Sequence, residues 1–265
     1  MSGTLHNVTV RCPVKIGLKD NEVVTKQAGN VTNGLRHECA VSRHGIPSRL
    51  WLLALVLVAF CIHAAAQVER IVNAAMLSYG AAAVTAVRAW GEMLEGAAAL
   101  PEERKIRRIN TFFNRRIAFE EDQVLWGQND FWATPLETLA RGGGDCEDFA
   151  IAKYVSLRML GLSDDKLRLI YVRAKIGGVH STVSQAHMVL GYYPNPAGDP
   201  QVLDNLIDEI QPASQRPDLS PIFSFNADGL WAGAASAAPA SATARLSRWR
   251  DVLARMRAQG FELKN

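Results

Sequence analysis

Gly142-Gly143-Gly144-Asp145-Cys146-Glu147-Asp148-Phe149-Ala150-Ile151-Ala152-Lys153-Tyr154 decides how the rest of the chain is read. A glycine run ends one segment, Asp145 suits an N-cap, and Cys146 opens a helix. Glu147 and Asp148 fall in the first turn, where the helix dipole favours negative charge. Ile151, Tyr154, Val155, Leu157, Met159 and Leu160 leave few polar positions, which predicts a largely buried helix closed by Gly161. A cysteine in such a first turn faces unpaired backbone N–H groups that stabilise a thiolate and can donate to an oxyanion. The glycines give a substrate backbone room to approach. The competing reading of Cys146 is a small buried hydrophobe. The flanking acids cut against a nucleophile, because negative charge raises a thiol pKa, so a cation is needed beside them.

The chain has 265 residues, enough for one full domain with appendages, and its net charge of +3 gives no nucleic-acid surface. Residues 1–45 are polar and aperiodic and read as disordered sequence or as an extension from a start codon placed too far upstream. Residues 46–66 read as a signal peptide: Arg43, His44 and Arg49 precede the apolar run Leu50–Phe60, and Ala64-Ala65-Ala66 precedes Gln67. The run is shorter than the roughly 20 residues of a transmembrane helix, so the mature protein is not expected to span a membrane. Cys61 follows the bulky Phe60, which argues against lipid attachment. Of four cysteines, Cys12, Cys39 and Cys61 precede residue 67, and export leaves Cys146 alone in an oxidising compartment. Of six histidines only His180 and His187 follow it.

From Val68 to Glu95 the pattern is helical, with Gly80 as a break; a second helix follows Pro101. Its basic residues Arg104, Lys105, Arg107 and Arg108 read as a solvated face. An aromatic loop, Trp126–Trp132, leads to Thr134-Pro135-Leu136-Glu137, a capping box with proline at N1. After the central helix the pattern turns to short strands at 167–172, 186–193 and 201–206, separated by Pro/Gly/Asn turns. Helices first and an antiparallel meander second make an α+β fold. His187 and Asp204 are polar residues within largely apolar strands, a costly placement unless they are partnered. Paired strands would make them neighbours, giving a nucleophile, a base and an orienting acid in Cys146, His187 and Asp204. The alternative is a purely structural His–Asp pair, and His180, in a glycine-rich loop, is the weaker candidate base.

Together, Trp126-Gly127, Trp132, Thr134-Pro135 with Glu137, Gly143–Asp148, Ala186–Leu190 and Leu203-Asp204-Asn205 resemble the bacterial transglutaminase-like cysteine proteinases. So do Pro212-Ala213-Ser214, Phe223–Asn226 and Gly229-Leu230-Trp231; the resemblance spans about residues 68–231 of the 67–231 protease domain. It implies a papain-like fold, a triad of Cys146, His187 and Asp204, and a periplasmic endopeptidase that cleaves the N-terminal region of a large repeat adhesin at a di-alanine site. It further implies dependence on Ca²⁺, and restraint by an inner-membrane receptor that senses cyclic di-GMP, linking the enzyme to biofilm formation. Residues 232–265 depart from it, with an Ala-rich linker and a basic amphipathic helix through Leu246, Trp249, Val252, Leu253 and Met256.

Calcium also has a physical basis in the chain itself. Asp145 and Glu147 flank Cys146 with hard oxygen ligands, Asp148 and Asp130 are within reach, and a dication would offset the charge that raises the thiol pKa. With one cysteine and two histidines, zinc is a poor fit. The bland alternative makes Glu147 and Asp148 simple helix-dipole acids. Two other functions use the same residues: a cell-wall amidase or transglutaminase with the same triad, and a non-catalytic binding module.

Overall fold

The computed structural model describes residues 66–232 and 247–263. The N-terminal extension, the signal segment before Ala66 and most of the Ala-rich linker lie outside the described residues.

Helix α1 (66–79) and helix α2 (Ala81–Ala97) are separated at Gly80, whose φ of 81° ends the first helix where the sequence predicts a break. On α2 the buried residues Ala83, Val87, Trp90 and Leu94 recur at spacings of four and three, one stripe facing the core. Helix α3 (Glu102–Arg116) follows Pro101 with acids in its first turn and arginines in its last, in keeping with its dipole. Its buried face is Ile106, Ile109, Asn110 and Phe113.

Strand β1 (Ala118–Phe119) and helix α4 (Asp122–Trp126) come next, and Gly127 ends α4 in the left-handed region. Helix α5 (Pro135–Arg141) has the complete capping box: the Glu137 amide donates to Thr134 Oγ1, and the Thr134 amide donates to the Glu137 carboxylate at 2.8 Å. Gly142 closes it at φ 67°. Strand β2 (Gly143–Gly144) pairs in parallel with β1, Ala118 opposite Gly143, and helix α6 (Cys146–Met159) begins two residues later.

Strands β3 (Leu167–Lys175), β4 (Ser184–Tyr192), β5 (Gln201–Leu203), β6 (Gln211–Pro212), β7 (Leu219–Phe225) and β8 (Leu230–Ala232) form a six-stranded sheet in the order β6-β5-β4-β3-β7-β8. Every pairing in it is antiparallel, so the α+β reading holds. Alternation along the strands splits the apolar residues. Leu169, Met188, Leu190 and Leu203 join the main core with α6, while Ile170, Val172, Ala174, Val189 and Val202 form a second, smaller cluster.

Helix α7 (Ser247–Ala258) buries Trp249, Val252 and Met256 in the same core as α6. Trp249 stands edge-on to Tyr154 and to Phe225, each ring centre 5.7 Å away, and its Nε1 donates to the Asn226 carbonyl at 3.2 Å. Trp249→Ala is therefore expected to cost about 3–5 kcal/mol in equilibrium denaturation. A loss below about 1 kcal/mol would mean that α7 does not dock in solution.

Candidate active site and acidic cluster

Cys146 is the first residue of α6 and is half-buried. Its Sγ donates to Glu147 Oε2 at 2.8 Å. Burial pushes the thiol pKa up, and the charges of Glu147 and Asp145 push it further; a hydrogen bond from the Met188 backbone works the other way. That amide places the thiol against β4, next to the residue that follows His187.

His187 and Asp204 are both buried, and His187 Nε2 lies 2.8 Å from Asp204 Oδ1. Asp204 does not sit midway along its strand as expected. β5 ends at Leu203, opposite Leu190, and Asp204 follows it at the level of Val189, one pleat from His187. Leaving the ladder frees Asp204 to collect other donors: the Leu206 amide at 3.0 Å and Arg216 Nη2 at 2.8 Å reach its carboxylate. Burial alone would raise this carboxyl. The His187 hydrogen bond and charge, with Leu206 and Arg216, outweigh burial and hold its pKa at about 2. Asp204 thus stays ionised at any physiological pH. With Nε2–H directed at the carboxylate, Nδ1 is the basic nitrogen of His187. His180 lies exposed on the β3–β4 turn. Arg216 carried no signal in the sequence, because a lone arginine twelve residues past Asp204 marks no motif.

Beside the thiol is a cluster of acids. Oxygens of Asp122, Asp145 and Asp148 lie within 4.8 Å of one another, and so do ligand atoms of Asp145, Cys146 and Glu147. Asp148 Oδ1 accepts from the Ala133 amide at 2.7 Å, and Asp122 Oδ2 accepts from the Phe131 amide. One oxygen of each of the three aspartates is buried without a hydrogen-bond partner among the described residues. Burial first, then the neighbouring acids, drive Asp145 up to about 10. Burial likewise raises Asp122 to about 6, against the Phe131 amide, and lifts Asp148 well above the usual carboxylate range. Buried carboxylate oxygens left without donors, converging on one point, match the donor set of a hard divalent cation.

Several expectations need correcting here. Asp145 occupies the N-cap position of α6, but its side chain makes no capping hydrogen bond and belongs to the acidic cluster instead. Asp130 stays outside the cluster: it is half-exposed at φ 59°, ion-paired with Arg248 at 2.8 Å. Asp122 takes the place expected of it. Gly143 and Gly144 are buried rather than opened to a substrate, and a Cβ on Gly144 would sit 2.7 Å from that of Asp148. The glycine is there to let the acid in.

Helix α7 braces this cluster from behind. Arg255 Nη2 donates to the Trp132 carbonyl at 2.6 Å and the guanidinium ion-pairs with Glu137 of α5; Arg248 Nε donates to the Asp130 carbonyl at 2.9 Å. The loop so held is the one whose Phe131 and Ala133 amides grip Asp122 and Asp148.

A half-buried cysteine opening a core helix, packed on an antiparallel sheet that carries a His–Asp pair, defines a transglutaminase-like cysteine-proteinase fold. The chain belongs to the bacterial transglutaminase-like cysteine proteinase family (BTLCP), whose sequence pattern matches residues 92–218. Legionella pneumophila LapG is 38% identical, with a TM-score of 0.60 over 71% of this chain and 97% of that one. Its EGTA-treated form gives 38% identity, a TM-score of 0.62 and the same coverage. The calcium-bound form gives 39% and 0.60, over 71% and 98%. No curated protein sequence matches the chain. Among the described residues no helix is long and apolar enough to cross a membrane.

Proposed function

We propose that this protein is an exported, calcium-dependent cysteine endopeptidase. Its substrate is the N-terminal region of a large surface adhesin, cut at a di-alanine site, with access controlled by an inner-membrane cyclic di-GMP receptor and biofilm formation as the outcome. The observation that carries the calcium-dependent protease reading is the pairing of an activatable thiol at Cys146 with the adjoining cradle of Asp122, Asp145 and Asp148, whose buried oxygens lack donors. A relative known in calcium-bound and EGTA-treated forms supports the choice of ion. The adhesin, the receptor and the periplasm rest on the family resemblance.

Asp204 holds His187 in the tautomer whose Nδ1 can take the Cys146 proton. The thiolate attacks the scissile carbonyl carbon, and the free amides of the first turn of α6 can donate to the oxyanion that forms. His187 returns the proton to the leaving amine, then takes one from the water that hydrolyses the thioester. Asp122, Asp145 and Asp148 would hold Ca²⁺, with Glu147 on the thiol side. When bound, the ion supplies the positive charge that offsets these acids beside the thiol.

The test is incubation of the 67–265 protein with the N-terminal region of the host's adhesin, in calcium and in EGTA, with peptidoglycan as the competing substrate. One adhesin cut, present in calcium and absent in EGTA, is expected. Release of peptide from peptidoglycan with the adhesin untouched would make the protein an amidase instead.

A further inference from the structure

Lys153 is an amine that the mechanism above does not use. It lies seven residues after Cys146 on α6, two helical turns along the same face, and only 1% of it is exposed. A buried ammonium is costly unless paired, and an apolar residue would fill this place more cheaply. Its Nζ donates to the backbone carbonyl of Asp204 at 3.1 Å. From α3, Asn114 Nδ2 donates to that same carbonyl at 2.8 Å and to Asp208 Oδ1 at 2.8 Å. Asn110 Nδ2 donates to the Asp208 carbonyl at 3.0 Å. The charged groups that face Lys153 are Asp204 and Asp208, and Phe149 supplies an aromatic face 5.6 Å away. Burial draws the amine down to about 7, with both aspartates opposing, and either protonation state can still donate a hydrogen bond.

Asp204 needs such a tether because β5 has ended one residue earlier and no ladder holds it. Resting on the reading of Cys146, His187 and Asp204 as a triad, we infer that Lys153 is a positioning residue: it ties the backbone of the triad acid to the helix that carries the nucleophile. Asn114 is the second strap on the same carbonyl. Nucleophile and acid are thereby set by one rigid element, and His187 is held between them.

Lys153→Met keeps length and apolar fit while removing the donor and the charge. In calcium, on the adhesin fragment, it is expected to lower kcat by about tenfold to a hundredfold with KM within about twofold, the signature of a misplaced triad. The alkylation of Cys146 by iodoacetamide adds a readout that packing damage does not move. If the tether fails, Asp204 and His187 shift, the thiol loses its base and, at one fixed pH, alkylates more slowly. Asn114→Ala, at a half-buried site, should lower kcat and the alkylation rate in the same way, since it removes the second donor to that carbonyl. It also serves if Lys153→Met fails to fold. A fall in melting temperature with kcat and the alkylation rate unchanged would overturn the inference. Failure of the wild type to cut the adhesin would sink the substrate reading instead, and the alkylation rate of Cys146 at that fixed pH would still report on Lys153.

Discussion

Cys146→Ala is expected to abolish peptide-bond cleavage while the melting temperature stays within about 3 °C of wild type, a shift worth roughly 1 kcal/mol in a domain of this size. The asymmetry follows from where the thiol sits. Half-buried at the start of α6, the small thiol bonds only to the neighbouring Glu147 carboxylate and the Met188 amide among the described residues, so little packing is lost. The chemistry has no substitute, because no other cysteine occurs after residue 61. Gel analysis of adhesin fragments and a thermal melt on the same preparation check both halves. Residual cleavage by the pure variant would remove Cys146 from the mechanism.

Calcium at about a hundred times its dissociation constant adds about 2.7 kcal/mol to the folded state, hence a melting shift of roughly 5–10 °C. Chelation should reverse this together with activity, and magnesium should restore both poorly, since it demands a tighter octahedron than these carboxylates offer. The pH dependence separates the two states. In EGTA, Asp122 and Asp145 have folded pKa values of about 6 and about 10, above the unfolded carboxyl value. Raised carboxyls penalise folding progressively as pH climbs above about 4, so the chelated protein is expected to gain stability on acidification from pH 8 to pH 5. Calcium should flatten or invert that slope. Asp145→Asn, which removes charge and keeps shape, should raise the melting temperature in EGTA, abolish the calcium shift and leave no cleavage at saturating calcium. If calcium moved neither the melting temperature nor the alkylation profile of Cys146, the acids would be no more than helix-dipole partners.

What the sequence made legible was local. The capping box at Thr134, the left-handed glycine at 142, the break at Gly80 and the acid–cysteine start of α6 each follow from a few neighbouring residues, and all are found. His187 and Asp204 stood out because polar groups in apolar strands need partners, and they partner each other. Asp122 did not stand out. It reaches the cluster only because β1 pairs with β2 and folds α4 back over the start of α6, a long-range register that no periodicity encodes. Arg216 and Lys153 are hidden for the same reason: each is defined by the loop after β5, whose path is set by tertiary contacts. The amphipathic pattern around Trp249 announced a helix and its buried face, but not that Arg248 and Arg255 on it would hold the loop behind the acids.

That last arrangement has a consequence in time. A ribosome delivers residues 247–263 only after the thiol, the histidine and every acid of the cluster have been made. Until then the Trp132 and Asp130 carbonyls lack their arginines, Trp249 is missing from the core, and the loop that grips Asp122 and Asp148 is unbraced. A chain still emerging is thus a protease with its parts in hand and its keystone absent. The brace behind the acids is therefore the last part of the core to be made, an assembly order written into the order of the residues.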